Sequence, residues 1–371
     1  LEFRRVLFRS SILKQLLDPK SFQTYIDENM KTSTYNALWK NEIKQVDYCA
    51  AKVYQANLAE YTAAMVGSVI AKNAERPVHH MPDFGQLTGS VGRYGDEWEL
   101  DNDYLDQMHQ LEGRYRDVQG RNYTQAQLNA QYDKLIEFSF RPFERAVIAP
   151  HKRLDMLYFE GLYLGTQTVS RTNNAKANVS YTFDLGIKQL TVTASWGEEN
   201  ATPFADIKKL KDEAKAHGRK IIKLRMSENT FYKMCKAKEI KDTFKLNLGT
   251  VQLNPAVPML TTEQVNTYLR SILLPTIQID EDQFVTLADG TTHNLIADDR
   301  VVAQCAESVA IMKISDALEL ADPIPGVSYS SHDDNLVGYW RDKTGYHINY
   351  DMWAQPVFNG LNDLYILKTT A

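Results

Sequence analysis

The chain has 371 residues and a formal net charge of −5, with 43% hydrophobic, 24% charged and 11% aromatic residues. This balance is typical of a globular protein and excludes a disordered chain, which lacks the apolar surface to offset its ordering entropy. No apolar run reaches the roughly 20 residues that a membrane-spanning helix needs, so we expect no membrane contact. The length suggests about two domains.

Residues 1–10, LEFRRVLFRS, are basic and partly apolar, but no apolar targeting core follows them, so a signal peptide is not expected. The string resembles the translation of a sequencing adapter. We therefore expect this segment to be non-native, with the native start upstream, and exclude it from the fold prediction. Without its three Arg and one Glu, the formal charge changes from −5 to −7.

Apolar residues recur at three- to five-residue steps from Leu38 to Val69, which predicts a long amphipathic helix over residues 36–72. Residues 77–123 differ, because they hold 6 of the 18 glycines among interleaved aromatic and charged residues. This composition predicts a long loop or an extended hairpin with glycine-permitted turns. A long excursion of this kind inside a folded chain is usually functional.

Helical patterning returns over residues 124–164, with Thr124 as the predicted N-cap and Gly165 as the terminator. Pro142 and Pro150 predict interruptions or kinks in this helix. Residues 166–194 then alternate with period two around Asn173-Asn174, which predicts a β-meander.

The remaining pattern is mixed, so the predicted fold class is α+β. Helices are predicted over 203–216, over 227–237 with Ser227 as N-cap, and through Ser271 with Thr262 as N-cap. Strands are predicted at 220–226, 276–279, 283–287, 301–305, 346–350 and 364–367.

Motifs for phosphate binding, dinucleotide binding, serine hydrolysis or zinc proteolysis are absent from the sequence. His79 and His80 are adjacent, and neighbours on one strand point to opposite faces, so they chelate one metal poorly. The acidic runs 280–282 and 298–299 lack EF-hand spacing and are interpreted as solvated turns, with a structural cation as the alternative. We therefore predict no catalytic, cofactor-binding or metal-binding residue, no cofactor, and no enzymatic activity.

The three cysteines, Cys49, Cys235 and Cys305, lie far apart and form no CxxC pair. They predict neither a disulfide framework nor a thiolate-rich metal site, and they favour a reducing compartment. Buried small hydrophobic residues are the preferred interpretation over reactive nucleophiles.

Charge is unevenly distributed along the chain. Residues 208–245 hold 13 Lys/Arg and 5 Asp/Glu, a local charge of +8, whereas residues 278–371 hold 5 and 15, a local charge of −10. The basic segment could contact nucleic acid or could be a solvated face. We favour a third interpretation, in which the opposite charges meet in head-to-tail contacts between identical subunits.

Five short motifs in order carry a family resemblance. They are Leu162–Gly165, Phe183–Gly186, Trp196, Pro203–Ile207 and Met226–Phe231. Together with the later LPTIQIDEDQF, where Gln278 and Ile279 lie, they resemble the lambda-type major capsid protein E family of tailed bacteriophages. The resemblance covers about a quarter of the chain directly, between Arg153 and Asp242.

The resemblance implies an HK-ninety-seven-type shell fold. Its expected parts are the N-terminal arm and helix (11–76), the extended loop (77–123), the spine helix and peripheral strands (124–195), the axial domain (196–330) and a return to the peripheral domain (331–371). In that fold the extended loop lies over a neighbouring subunit. No Lys–Asn crosslinking pair is assigned.

The resemblance also implies a structural protein that self-assembles into the icosahedral head shell around phage DNA. Expected partners are further copies in hexamers and pentamers, scaffold, portal and decoration proteins, and packaged DNA in non-specific contact. The expected location is the virion, with assembly in the cytoplasm of the bacterial host. The alternatives are an encapsulin-like compartment shell, a tail or decoration protein, and an enzyme with an unrecognised site.

Overall fold

A computed structural model describes residues 23–24, 27, 37–57, 86–119, 124–174, 179–247, 260–343 and 345–371. The helices in these ranges are α1 (Trp39–Glu42), α2 (Asn102–Gln119), α3 (Gln125–Leu164), α4 (Pro203–Ala216), α5 (Glu228–Lys236), α6 (Lys238–Asn247), α7 (Thr262–Ser271) and α8 (Leu318–Ala321). The strands are β1 (Val46–Tyr48), β2 (Val53–Asn57), β3 (Gln86–Ser90), β4 (Gly92–Tyr94), β5 (Glu97–Leu100), β6 (Thr166–Val169), β7 (Tyr181–Asp184), β8 (Lys188–Thr191), β9 (Lys223–Ser227), β10 (Ile277–Asp280), β11 (Phe284–Thr286), β12 (Thr292–Asn294), β13 (Arg300–Gln304), β14 (Ala310–Ser315), β15 (Ser328–His332), β16 (Asn335–Arg341), β17 (Tyr346–Phe358) and β18 (Leu364–Lys368).

Two sheets organise the described part of the chain. A seven-stranded sheet has the order β1-β14-β17-β16-β15, with β4 and β5 also paired to the long strand β17. A five-stranded sheet has the order β10-β9-β13-β18-β8. Strand pairs β2–β3, β6–β7 and β11–β12 form separate two-stranded ribbons. Strands β15, β16 and β17 form consecutive hairpins, whereas the other pairings in both sheets join strands that are distant in the chain.

The 40-residue helix α3 is the spine that joins the two sheets. At its start, a capping box joins Thr124 and Gln127, and at its end Gly165 adopts the left-handed conformation at φ +72°. At 1.5 Å per residue the helix is about 60 Å long. Its first half packs with α2 against the seven-stranded sheet, and its second half lies in the core between the sheets.

The helix continues through both predicted interruptions, because side chains replace the bonds that proline removes. Proline lacks an N–H, so Pro142 and Pro150 leave the carbonyls four residues earlier without their helical donor. The hydroxyl of Tyr104 on α2 donates to the Phe138 carbonyl at 2.5 Å. The amide of Asn335 on β16 donates to the Ala146 carbonyl at 3.1 Å. The predicted breaks are therefore wrong, and the prolines become docking points for neighbouring elements.

The five-stranded sheet carries helices α4, α5, α6 and α7 on one face and the spine helix on the other. Alternate residues of β13 show this division, because Val301 and Ala303 face the four helices whereas Val302 faces the spine. The predicted helix 203–216 is confirmed, as is the Ser227 N-cap, whose hydroxyl accepts from the Thr230 N–H. The N-cap of α7 is Thr261, one residue earlier than predicted.

The predicted helix over residues 36–72 is wrong where the structure describes it. Residues 37–57 form the single-turn helix α1 and the strands β1 and β2, and residues 58–85 lie outside the described residues. In β1 the side chain of Asp47 lies beside Lys313 at 2.7 Å on the neighbouring strand β14. Short strands fit the same apolar spacing, and pairing with a distant strand outweighs the local helical period.

The segment 77–123 contains a helix that its glycine content did not predict. Helix α2 begins after Asp101, whose carboxylate accepts from the Tyr104 N–H at 2.9 Å. Its Met108 is fully buried against the spine. Gly113 lies within this helix, where a Cβ would meet nothing within 4 Å. That glycine therefore marks no turn, and the excursion is part strand and part helix.

The predicted three-stranded meander is also wrong in its last strand. Strands β6 and β7 pair antiparallel around the turn at Asn173, as predicted, but β8 leaves them and pairs in parallel with β18. Gly186, at φ +68°, redirects the chain between β7 and β8. A glycine in this region of conformational space reverses direction at little steric cost.

Candidate assembly surfaces

Within the described residues, no group of three or more His, Cys, Asp or Glu side chains is placed to hold a metal ion. His79 and His80 lie outside the described residues. In the same described ranges, no helix is both long and apolar enough to cross a membrane.

The two acidic runs serve different contacts within the fold. Asp280 is buried and pairs with Arg225, whereas Asp282 accepts from the Asn294 amide at 2.8 Å. Asp298 accepts from the Ser227 hydroxyl, and Asp299 pairs with Lys233 at 2.6 Å. Each of these four carboxylates thus has a hydrogen-bond or ion-pair partner within the protein. The prediction that both acidic runs are solvated turns is only partly right, because Asp280 is buried.

The cysteines are free thiols set in apolar surroundings. Burial raises the pKa of the Cys235 thiol to about 11, and burial together with the nearby Asp363 carboxylate raises the pKa of Cys305 to about 12. Cys49 is half-buried beside the small cluster of Tyr54, Val91 and Val357. Because the thiolate is the reactive form, the raised pKa values of Cys235 and Cys305 favour a packing role.

A buried ionic network joins the five-stranded sheet to the spine and to the N-terminal segment. Arg225 is only 3% exposed, and its guanidinium lies 2.6 Å from Asp280 and 2.7 Å from Glu42 of α1. The hydroxyl of Tyr163, on the spine, donates to Asp280 at 2.5 Å. Since a guanidinium donates in a fixed planar fork, the network fixes three elements in one geometry.

The face of the seven-stranded sheet that is turned away from the spine carries a cation cluster around Trp353. The Lys52 ammonium lies 3.6 Å from the indole centroid, and Arg93 lies 5.6 Å from it. Arg93 also binds Asp351 of the same strand β17 through two nitrogens. Because desolvated cation–π contacts are stabilising, this cluster attaches the β1–β4 region to the centre of the sheet.

The side chain of Gln23 makes hydrogen bonds with the edge strand β15 of the seven-stranded sheet. The Gln23 amide nitrogen donates to the Ser331 carbonyl at 2.9 Å, and its oxygen accepts from the Ser331 N–H at 3.0 Å and from the Ser330 hydroxyl at 2.7 Å. These bonds imitate a neighbouring strand. An open strand edge is a template for pairing with another chain, so Gln23 blocks part of the β15 edge.

The five-stranded sheet has ends of opposite charge. Strands β9 and β10 are parallel, so the residues that precede them meet at one end and the residues that follow them meet at the other. The first, here called the basic end, carries Lys215, Lys220, Lys223, Ile222 and Leu273. The opposite end, here called the acidic end, carries Glu228, Glu281, Asp282 and Asp298. With a rise of about 3.3 Å per residue, the five-residue strand β9 separates the two ends by about 13 Å.

The structure thereby divides the basic segment predicted from the sequence. Arg225 is buried in the ionic network, and Lys209 and Lys233 pair with Asp206 and Asp299. These three cations are therefore engaged within the subunit. This division weakens the nucleic-acid interpretation, because affinity for phosphates depends on cations clustered along one surface.

The acidic end contains a cavity of about 450 Å³. Its apolar walls are Phe231, Tyr232, Leu260 and Ile279, and its rim carries Glu228 and Glu281. An apolar floor under a charged rim is typical of protein contact sites, in which an anchor side chain is desolvated and the rim sets specificity.

Comparison with solved structures identifies the fold. A prophage protein of E. coli CFT073 that is assigned as a capsid protein shares the fold with a TM-score of 0.54 at 12% identity, over 95% of this chain and 99% of that one. This likeness confirms the predicted α+β, HK-ninety-seven-type fold. A phage-related protein from Bordetella bronchiseptica RB50 (TM-score 0.45, 11% identity, 94% and 95% covered) and the capsid of Myoviridae phage XM1 (0.41, 14%, 85% and 83%) are more distant.

Part of the chain also matches a known family in sequence. Residues 154–315 match the family described as "Phage major capsid protein E". The matched part begins in the second half of the spine, includes every strand of the five-stranded sheet except β18, and ends with β14. No curated protein matches the chain. The family match confirms the predicted resemblance and, with the shared fold, supports a structural major capsid protein of a phage.

Two sets of long-range contacts were not found from the sequence. The side chains that replace the proline bonds, Tyr104 and Asn335, lie 34 and 189 residues from the carbonyls they bind. The Lys52–Trp353 contact also joins distant segments. The charge asymmetry was the one signal that pointed to the two ends of the five-stranded sheet.

Proposed function

We propose that this chain forms the icosahedral head shell of a tailed phage and that the shell encloses the phage DNA. The observation that carries the proposal is the family match over residues 154–315, which includes every strand of the five-stranded sheet except β18. The shared fold, over 95% of the chain, supports it independently.

In this proposal the chain acts through contacts rather than catalysis. The predicted division stays as proposed, with the arm and helix at 11–76, the extended loop at 77–123, the axial domain at 196–330, and the peripheral domain in 124–195 and 331–371. Copies would meet in hexamers and pentamers, and many weak contacts would sum to a stable shell. Scaffold, portal and decoration proteins, and non-specific contact with DNA, complete the proposed partners, with assembly in the bacterial cytoplasm.

The test is expression of residues 11–371, alone and together with the scaffold protein encoded beside the gene. Electron microscopy and size-exclusion chromatography are the measurements. Closed shells, or rings of five and six copies, are the expected result. A compact monomer under all conditions, with and without the scaffold, would overturn the proposal and return attention to an enzyme.

Shells alone leave the cargo to be determined. We expect shells recovered from cells carrying the complete phage gene set to protect DNA from nuclease. Shells that instead retain a protein cargo and no nuclease-resistant DNA would favour the encapsulin-like alternative.

A further inference from the structure

The basic end of the five-stranded sheet presents an apolar side chain that has no packing role in its own subunit. Leu273 is 78% exposed, and Ile272 and Ile222 beside it are also exposed. A solvent-exposed leucine alone needs no explanation. Here, however, the apolar group follows the end of helix α7, where Arg270 lies in the last turn and the Lys211 ammonium bonds to the Leu273 carbonyl.

The backbone holds Leu273 in an unusual conformation. Its φ is +60°, in the left-handed region that non-glycine residues seldom adopt. The Leu273 N–H donates to the Arg270 carbonyl at 3.1 Å, and its own carbonyl accepts from the Lys211 ammonium at 2.6 Å. Backbone strain of this kind tends to occur where the surrounding structure fixes a functional group. The side chain is thus held in a projecting position before any partner arrives.

The cavity at the acidic end has the complementary properties. It is apolar inside, through Phe231, Leu260 and Ile279, and its rim carries the carboxylates Glu228 and Glu281. Helix α7 connects the two sites within one subunit, because Leu260 precedes its first turn and Leu273 follows its last. One copy therefore carries an apolar anchor in a basic surround at one end and an apolar cavity in an acidic surround at the other.

We propose that the basic end of one copy docks onto the acidic end of the next copy, with Leu273 as the anchor in the cavity. The proposal rests on the proposed shell function and names the contact that would build its rings. The two sites are different surfaces, so the contact is heterologous, and repeated heterologous contacts close into a ring when the rotation permits. Opposite charges at the rims steer the approach and fix the register.

The first test is the substitution Leu273→Asp in residues 11–371. The exposed position predicts an unchanged fold, whereas a carboxylate against the acidic rim should raise the concentration needed for ring or shell formation by about tenfold or more. Leu318→Asp is the matched control, since Leu318 is 63% exposed but lies in helix α8, which connects two strands of the seven-stranded sheet. Equal assembly of Leu273→Asp and the unmodified chain would overturn the proposal.

The second test exchanges the charges. One variant carries Glu228→Lys, Glu281→Lys and Asp282→Lys, so that both ends are basic, and the other carries Lys215→Glu and Lys220→Glu, so that both are acidic. Neither should form rings alone, but an equimolar mixture should. Because copies must alternate around such a ring, the mixture should give even-numbered rings and no five-membered ones. Failure of the mixture to assemble better than either variant alone would overturn the proposal.

A third measurement separates this contact from the shell function. In a background that carries Cys49→Ala, Cys235→Ala and Cys305→Ala, a chain with Leu273→Cys and Tyr232→Cys should form covalent dimers and longer chains with a short bismaleimide at high protein concentration, whereas each single variant should not. Crosslinking in a chain that builds no shell would support the contact and count against the shell. Normal shells without crosslinking would overturn the contact and leave the shell function standing.

Discussion

The bond between Asn335 and the spine helix gives the sharpest stability prediction. Pro150 removes the helical donor to the Ala146 carbonyl, and the fully buried Asn335 amide replaces it at 3.1 Å. Asn335→Leu keeps a similar side-chain volume but leaves that carbonyl without a donor. A buried unsatisfied carbonyl costs about 1–3 kcal/mol, so the free energy of unfolding should fall by about that amount.

A double-mutant cycle isolates the cause. In a Pro150→Ala background the new N–H of residue 150 can donate to Ala146, so the same Asn335→Leu change should cost less than about 1 kcal/mol. Among the described residues the Asn335 side-chain oxygen has no hydrogen-bond partner, so the change removes, besides the bond to Ala146, only the longer bond from the amide to the Val147 carbonyl at 3.5 Å. Urea unfolding followed by far-UV circular dichroism measures both penalties.

The matched comparison lies at the other proline. Tyr104→Phe removes the donor to Phe138, and Pro142→Ala should compensate in the same way. Because Tyr104 is only half-buried, water can partly replace its hydroxyl, and the expected penalty is smaller, about 0.5–1.5 kcal/mol. Equal penalties for Asn335→Leu with and without Pro150 would refute the idea that side chains repair the helix.

Three further predictions concern the core. Arg225→Met should lower the free energy of unfolding by about 3–5 kcal/mol in urea, because it leaves buried carboxylates without their cation. His151 is 3% exposed, and burial lowers its pKa to about 4. In the unfolded chain the His151 imidazole takes up a proton near pH 6.5, whereas in the folded chain it does so only near pH 4. The neutral buried imidazole therefore contributes its full stability above pH 6.5, and this stability is lost as the pH falls toward 4. Between pH 7 and 4.5 the free energy of unfolding should fall by about 2 kcal/mol, and this loss should be absent in His151→Phe. Gly161→Ala should lower the free energy of unfolding by about 1–3 kcal/mol, because the added Cβ would lie 2.5 Å from the Phe358 ring. Gly113→Ala should raise the free energy of unfolding by about 0.5–1 kcal/mol, because its Cβ would meet no atom within 4 Å and alanine favours the helix.

The contrary outcomes are equally specific. An Arg225→Met variant as stable as the unmodified chain would show that the buried network contributes little. The same acid sensitivity in His151→Phe as in the unmodified chain would assign it to other groups. Thermal unfolding that shifts in the same direction for both glycine variants would contradict the packing argument.

The sequence alone determined those elements whose signals are local. Thr124, Ser227 and Pro203 lie at helix starts with the spacing that capping chemistry requires, and α3, α4 and α5 begin where these residues predict. The ordered motifs between Leu162 and Phe231 also sufficed for the family resemblance, which the match over residues 154–315 confirms.

Only the tertiary structure decided the elements that depend on distant partners. Residues 46–48 have a spacing compatible with a helix, but β14, more than 260 residues away, makes them a strand. Pro150 predicts a break in the spine helix, but Asn335 on strand β16 supplies the missing hydrogen-bond donor. The basic run 208–245 predicts one charged surface, whereas burial of Arg225 and the parallel pairing of β9 and β10 divide it between ends. Local propensities differ by about 1 kcal/mol, so a paired strand or a buried hydrogen bond from far along the chain outweighs them.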